Sequence, residues 1–404
     1  MRTLADLRSM QAACDTWNTR LVGYHDLDGH GDGMQLVKVG RYLYVAHVGT
    51  SEMALSILDC ADPSSPRLLR QLPHPPNTHR HKVQVVGNVL IQNNEQVAYS
   101  TDFPNVPPVT GIDVFSLDDP TDPKQIGFHP VGGRGVHRMW FREAPYAHVA
   151  AWLPGARARG YQIVDLSEPA APRVAGEWWL PGSKDGDLDP WTPLTENAHY
   201  QVHGAIPCGD RAYVSCTDAG MAILDISDMG APKVVSRINW SPPYGGYAHT
   251  SFPLPERGLV VQVCESVKST LAEDGDKRIW LIDVRDERQP VIISSFPRPV
   301  PPTGAPYASY DERPLRFGPH NIHENYPGSF QSDRRIYSTW FNAGLRVTDI
   351  GDADRPTEIG YFVPPPPPGQ RAPQINDVYV DADGLIYVTD RISGGLYVVE
   401  YTGG

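Results

Sequence analysis

Fourteen histidines are spread over 404 residues, and five stretches place one at a matching point. His81 lies six residues before Gly87, His203 six before Gly209 and His249 six before Pro255; His137 falls within one residue of the same place before Glu143, Ala144 and Pro145. His320 and His323 stand together in the stretch GPHNIHE at 318–324, and two further stretches carry Met34 (with His30 just upstream) and Asp377 (beside Asn376). Imidazoles of this kind, brought together, are natural ligands for a divalent metal. Three or four of them with an open position form a catalytic rather than a structural arrangement. The plain alternative is that each histidine packs against, or hydrogen-bonds to, its own neighbour.

What would bring them together is a repeat. One phrase occurs seven times, at 54–59 (ALSILD), 111–116 (GIDVFS), 160–165 (GYQIVD), 220–225 (GMAILD), 278–283 (RIWLID), 344–349 (GLRVTD) and 395–400 (GLYVVE). Apolar residues alternate with period two in each copy, which reads as a strand. Polar turns with proline follow, as at 62–66, 119–123 and 168–172, and then another short apolar run. Before each copy lies a hairpin, with turns such as Gly40-Arg41, Gly87-Asn88 and Gly209-Asp210. Strands alone, recurring at intervals of 49 to 66 residues, predict an all-β chain folded as a seven-bladed β-propeller. The chain stops just after the seventh copy, and 19–24 (TRLVGY) matches the outer strands at 124–128 and 357–361. An N-terminal strand is therefore expected to complete the last blade, three strands plus one. Residues 1–18 read as a lead-in with helical character and 19–404 as a single propeller domain with long loops on one face.

At the seven phrases the chain resembles the LVIVD-repeat family, which is associated with β-propellers. The resemblance covers nearly everything past residue 19; it implies the fold and says little about activity. In such a fold the inner strands ring the axis, so the histidine column predicts metal ligands at His81, His137, His203, His249, His320 and His323. Second strands end on the same face, at His47, Glu95, Trp152, Asp218, Glu265, Asn342 and Asp390. Glu95, Glu265 and Asp218 are the candidates there for orienting the ligands or acting as a base. Arg138, Trp140, Tyr200 and Tyr247 flank the histidines as a possible lining for an aromatic or carboxylated substrate.

The arrangement is similar, in architecture only, to the carotenoid- and stilbene-cleaving oxygenases, propellers that hold ferrous iron on four histidines. The similarity implies iron before zinc, manganese or copper, and oxidative chemistry on a small organic molecule narrowly before hydrolysis, hydration or elimination. The alternative of another class is an interaction scaffold without metal. The long links at 181–197, 241–248, 297–318 and 363–373 would then be the docking surface, the last with its prolines at 364–368 in polyproline form.

Composition narrows the classes. A net charge of -12 with no basic stretch argues against nucleic acid. No apolar run is long enough for a membrane span, and the first residues lack the apolar core of a signal peptide. Five scattered cysteines without CxxC suit reduced thiols in a cytoplasm. GxGxxG, GxSxG and HExxH are all absent. The sequence leaves the oligomeric state open.

Overall fold

The computed structural model describes residues 4–49, 52–96, 106–193 and 198–404. Residues 1–3 of the lead-in and the end of the 181–197 link lie outside the described residues. The fold is the expected seven-bladed β-propeller of antiparallel sheets. Contacts divide the chain into two compact units: residues 1–72, 265–281 and 293–404, and residues 73–264 and 282–292.

Blades three and four show the basic form. Blade three runs Val136–Trp140, Tyr146–Trp152, Arg159–Asp165, Arg173–Trp178; blade four runs Gly204–Cys208, Arg211–Ser215, Met221–Asp225, Lys233–Ile238. The third strand in each is a copy of the repeated phrase, and its apolar residues pack between blades. Ile163, Val214, Ala222 and Leu224 share one fully buried cluster with Val202 and Cys216. Blade two adds a short piece, Thr78–His79, which pairs with Glu95 and Gln96 ahead of the inner strand Val83–Val86.

Thr19–His25 is the outer strand of blade seven. It pairs with Leu396–Tyr401, and its Leu21 enters the core beside Val399. A helix, Leu4–Ala13, precedes it, and Asp15–Trp17 adds the outermost strand of blade six. The stretch 318–324 of that blade, expected as its inner strand, is irregular. It is held to the next strand by the bridge of Ile322 with Ser338 and by the His320 and His323 N–H groups on Thr339 O and Tyr337 O, both at 2.9 Å, rather than by a continuous ladder. Pro319 has no donor to give, and the His323 side chain replaces a ladder carbonyl by accepting the Tyr337 N–H at 3.1 Å.

One contact recurs between neighbouring blades. The fourth residue of the outer strand, or the fifth in Thr19–His25, meets a carbonyl in the turn of the next blade. A Cβ on Gly127 would lie 2.1 Å from Pro169 O, one on Gly176 1.8 Å from Met229 O, and one on Gly23 2.1 Å from Pro63 O. Where serine occupies the place it donates instead: Ser236 to Glu287 O and Ser294 to Ala353 O, both at 2.5 Å. In these five blades the position holds either no side chain or one short donor. Gly176→Ala should destabilise the protein by about 1–3 kcal/mol through this clash. Ser236→Ala should cost about 1 kcal/mol through a lost hydrogen bond. Thermal melts of the two variants check the order.

Candidate metal centre

Four of the expected histidines form a continuous row within residues 73–264. Ring centroids are 5.0 Å apart for His81 and His137, 4.7 Å for His137 and His203, and 4.1 Å for His203 and His249. His79, which the sequence reading did not single out, extends the row by stacking on His81 at 4.0 Å. The spacing of two between His79 and His81 was its signal, since residues i and i+2 of an extended chain share a face.

Backbone irregularity aims two of these rings. In blade three the register shifts between Val136 and Arg138, and in blade five between Ala248 and Thr250, so His137 and His249 sit at β-bulges. Blades one and seven shift at the same place, at Met34 and Asn376. A bulge turns a side chain out of the alternating pattern, a device common beside functional sites. It also corrects the seventh column, which belongs to Asn376. Asp377 instead accepts the Leu36 N–H at 2.9 Å.

The tautomers follow from the partners. His137 Nδ1 lies 2.8 Å from Glu95 Oε2, and the other Glu95 oxygen takes Arg159 Nη1 at 3.2 Å. An ionised Glu95 only accepts, so His137 donates from Nδ1. His203 Nδ1 lies 3.1 Å from the carbonyl oxygen of His249, which also only accepts. With Glu95 ionised, both rings carry their lone pair on Nε2, and these two Nε2 atoms face each other at 3.0 Å. In a tetrahedral site with metal–nitrogen bonds near 2.0–2.1 Å, neighbouring ligand nitrogens lie about 3.3 Å apart.

The flanking rings are set differently. His81 Nδ1 accepts from the Asn93 amide at 3.2 Å, an amide whose orientation is fixed by Lys82 N–H on its oxygen at 2.8 Å. The Nε2 of His81 is then a buried N–H with no hydrogen-bond partner. His249 Nδ1 is 2.9 Å from Arg138 Nη1 and 2.8 Å from Thr250 Oγ1, so it accepts from the guanidinium. Burial, helped by Arg159 and Lys82, holds His81, His137 and His203 well below the ordinary imidazole range. Burial also pushes the Glu95 carboxyl up, against the pull of Arg159. His79, His81 and Glu95 also bring one ligand atom each within 4.8 Å of one another.

The remaining expected residues have partners of their own. In the other unit His320 donates Nδ1–H to Asn376 O at 2.6 Å, and its Nε2 is 3.7 Å from Glu265 Oε1. Glu265 pairs with Arg316 at 3.3 Å. His323 is turned into its own blade, against Phe330 and Tyr337. Asp218 accepts the backbone N–H of His199 at 2.7 Å and of Tyr247 at 2.8 Å, which makes it a loop cap. Tyr247 stands 5.9 Å from the His203 ring, Tyr200 packs on Trp191, and buried Trp140 is covered by Arg142. His47 joins Asp32 and Ser56, both at 2.7 Å, in the order of a nucleophilic triad. All three are fully buried and the Gln71 amide occupies Ser56, so the group ties a blade together.

The LVIVD repeat model matches the chain at residues 30–71 and 208–239. No curated protein matches it. Among solved structures, the β-propeller domain of Cps50 (Swd1) from Myceliophteria thermophila is 12% identical, with 92% of this chain and 96% of that one covered and a TM-score of 0.55. Sqt1 from Saccharomyces cerevisiae is 8% identical over 95% and 89%, with a TM-score of 0.53. A protein from Lactobacillus plantarum is 14% identical over 90% and 92%, also at 0.53. At these identities the likeness is one of fold. No described helix is long and apolar enough to cross a membrane, and the five cysteines form no disulfide.

Two core histidines give a pH signature. Burial lowers His148 and His323 from 6.5 to about 4. Above pH 6.5 both states leave them neutral and their stability contribution is fully present. As pH falls from 6.5 towards 4 only the unfolded chain takes up the protons, so stability drops, and it levels off below. Thermal melts across that window should show this acid slope, and it should flatten in a His148→Gln, His323→Gln variant.

Proposed function

We propose that this chain, which belongs to the LVIVD-repeat β-propellers, is a metal-dependent enzyme. Its metal would be held by histidines at the heads of successive inner strands, with His137 and His203 as the central donors. The observation that carries the reading is the approach of the two Nε2 atoms to 3.0 Å, with both lone pairs turned inward when Glu95 is ionised. Each is fixed by a partner on Nδ1, the Glu95 carboxylate for His137 and a backbone carbonyl for His203. Holding a ligand imidazole through its second nitrogen is what metal sites require of their surroundings.

A blade tie alone does not explain the residue type. Asn376 makes the same tie in blade seven, donating its amide to Met34 O at 2.6 Å. Asparagine therefore suffices to bond one blade's head to the next, and a histidine there adds only its second nitrogen. Glu95 is anchored by His137 and Arg159, which suits it to orienting a ligand rather than to moving a proton. A divalent transition metal bound here would supply Lewis-acid or redox chemistry to a small organic substrate. An all-imidazole set suits iron, zinc, copper and manganese; iron with an oxidative reaction is the first reading, and hydrolysis or elimination the second.

The test is elemental analysis after reconstitution with iron, zinc, copper and manganese in turn. About one ion per chain is expected with one of the four. His203→Asn should keep the tie to His249 O and the melting temperature while losing the metal. Glu95→Gln should weaken binding about 10–100-fold. Metal content near zero under all four conditions, or undiminished binding by His203→Asn, overturns the reading.

A further inference from the structure

A second cluster gathers charge around Glu265. Arg316 Nη1 lies 3.3 Å and Arg391 Nη1 4.0 Å from the same Glu265 oxygen. Both guanidiniums also lie against the ring of Phe341, at 5.6 and 5.7 Å. Phe341 is fully buried and forms the floor. Two cations thus meet one carboxylate oxygen, and the 4.0 Å contact is too long for a hydrogen bond. Arg391 Nη1 is buried and has no acceptor.

The other acid nearby does not serve it. Asp390 spends its oxygens on backbone amides, accepting from Gln374 at 2.6 Å and from Ile392, Ser393 and Gly394 at 2.8 to 3.1 Å. His320 donates its Nδ1–H to Asn376 O and offers Arg391 no anion. Burial and the charge of Arg316 together lower Arg391 to about 10, against the pull of Glu265 and Asp390. A buried guanidinium donor left without an acceptor is destabilising. The Arg316 and Arg391 side chains keep 28% and 17% of their surface exposed, so the edge of the pair meets solvent although Nη1 of Arg391 itself is buried.

We infer that Arg391 and Arg316 form a subsite for a small carboxylate, which supplies the acceptor that Glu265 cannot. A planar two-oxygen anion matches the guanidinium fork. Glu265, already in place, disfavours a dianion such as phosphate. The inference does not depend on the metal: it concerns other residues and is read without one.

The test is ligand-dependent melting of the full chain with acetate and benzoate, against acetamide, benzamide and sulfate at matched ionic strength. Both carboxylates should raise the melting temperature saturably, and the amides and sulfate should not. Arg391→Gln should weaken carboxylate binding about tenfold or more. Should that variant not fold, saturation-transfer NMR of acetate on the unaltered protein, with displacement by benzoate, reads the same site. No shift beyond the amide controls, an equal shift with sulfate, no saturation transfer, or full binding by a folded Arg391→Gln would overturn the subsite.

Discussion

Two neutral imidazole nitrogens cannot rest 3.0 Å apart with both lone pairs turned inward unless something positive lies between them. His137 and His203 are held in that relation from outside. Glu95 takes the far N–H of one ring, and the His249 carbonyl takes that of the other. With Glu95 ionised, neither ring can reverse its tautomer without breaking a buried hydrogen bond, which gives the constraint its force. A proton or a metal ion can satisfy it. Burial and the neighbouring arginines weigh against the proton, since they disfavour positive charge added as imidazolium. A metal ion bears the same penalty and offsets it by bonding to both lone pairs at once.

The fold supplies the constraint cheaply. In a propeller each inner strand begins beside the next, so a polar side chain at one strand head finds the backbone of its neighbour. His203 reaches His249 O, His320 reaches Asn376 O, and Asn376 reaches Met34 O. The ties belong to the architecture, and chemistry begins only where the tying residue has a second nitrogen. The bulges at His137 and His249 complete the effect by turning those rings from the pleat. Tight outer contacts, such as Gly176 on Met229 O, keep adjacent blades in fixed register and so keep the strand heads in place.

Much of this was legible in the chain. The seven phrases and their turns gave the blades, because alternation and turn chemistry are local. The strand 19–24 could be matched to its blade because outer strands share a residue pattern. The histidine column at 81, 137, 203 and 249 emerged from counting back from turns. What escaped was whatever depends on partners rather than spacing. Asp218 looked like the other strand-end acids, yet two loop amides claim it. His323 shared a stretch with His320, but an irregular strand turns it into its own core. Asn376 rather than Asp377 holds the seventh column because a bulge shifts the count by one. Arg159, which anchors Glu95, lies 64 residues from it, at the start of a strand in the next blade, and no local signal marks it.

The most direct measurement is nitrogen-15 NMR of the imidazoles, with histidine-labelled protein and stoichiometric zinc as a diamagnetic probe. Nδ1 of His137 and of His203 should stay protonated throughout. Both Nε2 resonances should move together from the free to the metal-bound position. If either Nε2 carries a proton that zinc does not displace, the two lone pairs do not face one another and the proposed centre is not there.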